Sequence, residues 1–157
     1  MLDGKHYSYY HMTHILKKGV LVRKQHILSS LGTDTKKGKK LYPLFASPGK
    51  INTLPFSILE DCQVTNEPEV HHRDGDLWYC LEGASVFQWG GKLIKPRPRI
   101  NPDGTKNKDE TSGARIAGGR KATLKSGDWL WIPAGVPHQH SAKKTARLVI
   151  IKVPSNV

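Results

Sequence analysis

Beyond residue 50, apolar residues come in short runs cut by Gly and Pro, with almost no helical periodicity. Phe56-Ser57-Ile58-Leu59 reads as a strand, and Val64 to Val70 approaches a second. Leu77 to Leu81, Ala84 to Trp89, Lys92 to Lys95, Lys121 to Leu124 and Ala146 to Val153 continue the series. Gly83, Gly90-Gly91, Gly118-Gly119 and Ser126-Gly127 punctuate it. Many short strands with frequent turn signals predict an all-β sandwich or barrel. Asp74-Gly75 signals a hairpin, which would set His71 opposite Asp76 across its neck, with Glu69 on the same face as His71. Pro96 to Gly113 reads as a long excursion over one edge, and loops of that length often serve as lids or binding loops.

The densest pattern is Gly127-Asp128-Trp129-Leu130-Trp131-Ile132-Pro133-Ala134-Gly135-Val136-Pro137-His138-Gln139-His140. Alternation puts Asp128, Leu130 and Ile132 on one face of a strand and Trp129 and Trp131 on the other. Pro133 removes a backbone donor where the strand should stop, and Gly135 accepts a positive φ without steric cost. His138 and His140 then share a face, because side chains two apart on a strand point the same way. Trp78 and Cys80 share the Asp76 face by the same rule and read as core. Trp129 and Trp131 read as core or dimer contacts.

Charge divides the chain. Residues 1–50 carry ten Lys/Arg against Asp3 and Asp34, a net +8 of the total +12. They form an irregular basic arm with Lys36-Lys37-Gly38-Lys39-Lys40 as a solvated linker, and residues 51–157 form the barrel domain. Such an arm suits nucleic acid or acidic surfaces, but nothing in the barrel supports that role and a nucleic-acid partner ranks last. An acid-poor start also resembles a transit peptide, a minor alternative weakened by Gly19, Val20 and Val22. The spacing of His6, His11 and His14 matches no zinc template closely.

The 157 residues suffice for one domain with a sizeable core. No apolar run reaches the length of a membrane-spanning helix. Two cysteines, Cys62 and Cys80, are too few for a secreted disulfide scaffold, so a reducing, cytoplasmic setting is expected.

The spacing of Gly127, Pro133, Gly135 and His138 resembles the second motif of the cupin superfamily, with Ala142 where Asn is usual. The first motif is met by His71 and Gly83, with Asp76 in place of its Glu. Glu69 falls where the first histidine belongs, and Gln63 where the opening glycine belongs. The resemblance covers about residues 51–153. It implies a double-stranded β-helix, or jelly-roll barrel, with a metal inside and a homodimer paired through edge strands. The apolar run Ala146 to Val153 is the candidate edge.

On that fold His71, Asp76 and His138 would converge as two imidazoles and one carboxylate, a set suited to Fe(II) and acceptable to Mn, Ni, Co or Zn. Glu69 would add a second carboxylate or pair with a lysine at the rim, and Asp76 could instead cap a turn. His140 would stand behind the ligands or act as general base. The expected function is a metal-dependent enzyme of dioxygenase, isomerase or decarboxylase type, acting on a small polar or anionic molecule. A non-catalytic ligand-binding module is the alternative.

Overall fold

The computed structural model describes residues 21–31, 36–43 and 56–155. His6, His11 and His14, and the residues of the transit-peptide reading, lie outside them. The described residues form α1 (Lys24–Ser30), β1 (Gly38–Pro43), β2 (Phe56–Thr65), β3 (Glu69–His71), β4 (Asp74–Glu82), β5 (Ala84–Trp89) and β6 (Lys92–Ile94). Then come β7 (Arg97–Ile100), β8 (Lys106–Ser112), β9 (Arg115–Ala117), β10 (Arg120–Lys125), β11 (Trp129–Ile132) and β12 (His138–Pro154).

All pairings are antiparallel, and they build two facing layers. One runs β11, β4, the latter part of β12, β2 and β1. The other runs β10, β5, the start of β12, β3, β8 and β7, with β6 and β9 pairing separately. The architecture is an all-β jelly roll. Strand β12 belongs to both layers, because its register slips between Ala142 and Thr145. Such a bulge inserts unpaired residues and bends the strand.

Alternation along β4 and β12 supplies the interior. Asp76, Trp78 and Cys80 are buried while Leu77 and Tyr79 are only partly so, and His138, His140 and Ala142 alternate likewise. Leu59, Trp78, Cys80, Phe87, Leu124, Ile132 and Leu148 pack as the main core. Each large apolar side chain so buried contributes about 1.5–3 kcal/mol.

Several expectations change. Strand β3 does not pair with β4; its partners are β8 and β12. Asp74 and Gly75 lie inside β4, opposite Pro154 and Val153. Gly75 answers a close approach, not a turn, since a Cβ there would come within 2.2 Å of the Trp131 ring. Residues 38–43, expected as linker, form an edge strand on β2, where Lys40 reaches Glu60 at 3.6 Å. Charged residues suit such an edge.

Pro96 to Gly113 is not a loop but largely the β7–β8 hairpin, and Pro98 is tolerated because β7 is an edge. Ala146 to Val153 is interior to its layer, hydrogen-bonded to both β2 and β4, so it offers no free edge for a dimer. Trp129 and Trp131 are exposed, not core. Among the described residues no helix is long and apolar enough to cross a membrane. Cys62 and Cys80 are free.

Candidate metal centre

Four side chains from three strands converge in the interior. Glu69 and His71 alternate across Val70 on β3, Asp76 comes from β4, and His138 opens β12. His138 Nε2 lies 3.3 Å from Asp76 Oδ2 and 3.7 Å from Glu69 Oε1. His71 Nε2 lies 3.6 Å from each of the same two oxygens. Glu69, His71 and His138 each offer a donor atom within 4.8 Å of the others, and all three are buried. His72, the neighbouring histidine, is exposed and bonds Thr111 Oγ1 at 2.7 Å.

Each of the four is held from behind. His138 Nδ1–H donates to the Val136 carbonyl at 3.1 Å. His71 Nδ1 faces Glu110 Oε1 at 3.3 Å. Arg99 Nη1 donates to Glu69 Oε2 at 2.8 Å, and its Nε lies 3.4 Å from Glu110 Oε2. Lys152 Nζ donates to Asp76 Oδ1 at 2.6 Å. These contacts assign both imidazoles a proton on Nδ1 and turn the Nε2 lone pairs inward.

The donor set fits a metal ion. Atoms about 2.1 Å from a common ion stand about 3–3.5 Å apart, close to the spacing found here. Asp76 Oδ2 and His138 Nε2 are buried and have no hydrogen-bond partner among the described residues. With Nδ1–H given to Val136, a neutral His138 faces Asp76 as a second acceptor, and a proton or a metal cation between them would satisfy both.

Without a metal, charge settles among the same groups. Burial alone would raise the Asp76 carboxyl, but His138 and the Lys152 ammonium outweigh it and bring it down to about 2. Burial would lower His71, yet Glu110 and Glu69 prevail and lift it to about 9. Glu69 is driven well below the ordinary range, its burial overcome by His71.

His140 lies one step further inward. Its Nδ1 is 2.7 Å from Asp61 Oδ2, and its ring packs between Phe87 and Trp78. Burial lowers its pKa, with Asp61 pulling the other way. Arg99, Glu110 and Lys152 were not found from the sequence. Lys152 had a usable signal, since alternation along β12 puts it on the inward face with Leu148 and Ile150. Arg99 and Glu110 had none, because their strands pair only through β8 and β3.

Gln63, standing where the family motif has glycine, adopts φ +46° inside β2, opposite the register slip of β12. A cleft of about 280 Å³ opens between β10 and β11, lined by Phe87, Leu124 and Leu130 among others, and contains none of the four donors.

Fold and centre together define an all-β jelly-roll barrel with two imidazoles and two carboxylates in its interior. No family model matches the chain, and no curated protein matches it. Similar solved structures include a cupin superfamily protein from Desulfitobacterium hafniense, 14% identical, covering 78% of this chain and 84% of that one at a TM-score of 0.49. The ribosomal oxygenase YcfD from Escherichia coli is 17% identical, covering 65% and 23% at 0.45. The iron(II) protein HppE is 16% identical, covering 62% and 41% at 0.40. The chain thus spans well under half the length of these last two.

Proposed function

We propose that this protein is a metal-dependent cupin enzyme, of dioxygenase, isomerase or decarboxylase type, acting on a small polar or anionic molecule inside the barrel. His71, His138, Glu69 and Asp76 would hold a divalent ion, of which Fe(II) and Mn(II) suit the mixed nitrogen and oxygen donors best. When bound, such an ion supplies Lewis-acid polarisation of a substrate oxygen or a site for O2.

The residues of the chain contribute orientation and charge. Arg99 and Lys152 each occupy the outer oxygen of one carboxylate, so each carboxylate presents a single oxygen inward. Glu110 fixes the ring of His71 and Val136 that of His138. Such supporting contacts keep ligands from rotating away and raise their basicity. His140 is the candidate general base.

The reading is carried by two imidazole nitrogens that each lie 3.3–3.7 Å from a Glu69 and an Asp76 oxygen, with His138 Nε2 and Asp76 Oδ2 buried without a partner among the described residues. Metal analysis of protein purified without an affinity tag tests it. The expected result is close to one equivalent, lost in His138→Ala. Less than about a tenth of an equivalent, unchanged by that substitution and after incubation with Fe(II) or Mn(II), would end the proposal.

A further inference from the structure

We propose that the layer beneath the four donors recognises a hydroxyl group of the ligand, through His140 as acceptor and the Trp78 indole N–H as donor. This rests on the metal-centre reading for the position of the ligand, but not for the chemistry of the pair.

Two strands step inward in parallel from the metal layer. His138 and Asp76 touch at 3.3 Å, and two residues further along each strand the rings of His140 and Trp78 stand 5.0 Å apart. Two residues of extended strand advance about 6.6 Å. The interior therefore has two stacked polar layers, one lined by ligand atoms and the other by hydrogen-bonding rings.

The second layer is incomplete. His140 Nε2 and Trp78 Nε1 are buried without a partner among the described residues, in side chains only 1% exposed. Leaving such atoms unpaired costs about 1–3 kcal/mol each, so a guest belongs there. The character of that guest follows from the tautomer. His140 Nδ1 lies 2.7 Å from Asp61 Oδ2 and 2.9 Å from Asn66 Nδ2; Asn66 Nδ2 donates to Asp61 Oδ2 at 2.8 Å, which leaves the shorter, charge-assisted contact to a proton on His140 Nδ1. Nε2 is then a lone-pair acceptor, and its ring is fixed by Phe87, stacked at 5.3 Å. An indole N–H is only a donor.

A carboxylate would satisfy Trp78 and repel His140, whereas an ammonium would do the reverse. A hydroxyl gives its proton to Nε2 and takes the indole proton on its oxygen. Asn66, which touches His140 Nδ1, also lines a cleft of about 480 Å³. The ligand class is a small molecule with a metal-chelating oxygen pair at one end and an alcohol or phenol at the other.

The test compares 5-hydroxy-2-oxopentanoate with 2-oxopentanoate by calorimetry on Mn(II)-loaded protein whose metal content is measured separately. The hydroxy acid should bind about tenfold more tightly. That ratio should fall to near one in Trp78→Phe, which keeps a ring and removes the N–H. It should also fall in the double variant Asp61→Leu/His140→Leu, which removes the acceptor without stranding a carboxylate. Metal content should be unchanged in both, and Trp78→Phe alone decides if the double variant does not fold.

Equal binding of the two acids by wild type, retention of the ratio in Trp78→Phe, or binding of neither acid to fully loaded protein would overturn the proposal while leaving the metal centre standing. Failure to load metal would instead sink the metal centre. The pair is then read in metal-free protein, from the indole N–H resonance that disappears in Trp78→Phe. A shift of that resonance on adding 1,4-butanediol sustains the hydroxyl site, and an unmoved resonance overturns it.

Discussion

The amide of Gly135 donates to the carbonyl of His71 across 2.8 Å, joining the turn before β12 to the end of β3. The two sequence motifs are thereby tied through backbone at the point where each delivers a histidine. Gly135 reaches this contact at φ +79°, where a side chain costs about 1–2 kcal/mol. Gly135→Ala should lose about that much stability in urea denaturation, and its metal affinity should fall because His71 and His138 are no longer held in register.

Metal should stabilise the fold directly, since an ion that binds only the native state adds RT ln(1 + [M]/Kd). At a hundredfold excess over Kd this is about 2.7 kcal/mol. Thermal unfolding with and without a chelator should show a large drop in Tm for wild type. His138→Ala should unfold at the same temperature in both.

Removing the groups behind the ligands should weaken metal binding without emptying the centre. Glu110→Gln and Arg99→Ala are each expected to cost about 10–100-fold in affinity, measured by competition with a chromophoric chelator. Arg99→Lys should recover only part, because a lysine cannot serve Glu69 and Glu110 with one planar fork.

In the chelated protein, stability should follow the shifted groups, His71, Asp76 and His140 among them. His71 sits near 9 when folded against an ordinary 6.5, so its contribution is complete below 6.5 and fades as pH rises through 9. Asp76 sits near 2 against 3.8, so its contribution is complete above 3.8 and fades as pH falls through 2. Denaturation midpoints should therefore be highest near pH 6.5, fall toward acid because the lowered His140 must gain a proton on unfolding, and decline toward 9 by about 3 kcal/mol through His71. His71→Gln should flatten the alkaline decline. A decline of equal size in that variant would assign it to other groups.

Local pattern revealed faces more readily than partners. Alternation put Glu69 with His71, Asp76 with Trp78, and His138 with His140, and the structure has each pair on one face. The reason for bringing His71 to Asp76 was different: a hairpin was expected, whereas the strands separate and each finds β12. A Gly in a strand can mark a turn or a neighbouring ring, and the two look alike until Trp131 is seen over Gly75. Arg99 and Glu110 were hidden because a charged, Pro-containing hairpin has no apolar face to betray its pairing. The edge strand at residues 38–43 was hidden for the same reason. Turn glycines and the Pro-Ala-Gly-Val-Pro segment were legible because they act on backbone geometry alone.

The bulge in β12 acts as a spacer of fixed length. Upstream of it the strand delivers His138 and His140, and downstream it delivers Leu148 and Lys152, all to the same interior. Side-chain direction in a strand reverses with every residue, so adding or deleting one residue at Lys143-Lys144 would turn Lys152 away from Asp76 and Leu148 out of the core. The identity of those two residues is loosely constrained, since both are exposed. Their number is not. Along lineages of this chain, substitutions should accumulate at 143 and 144 while insertions and deletions stay absent there.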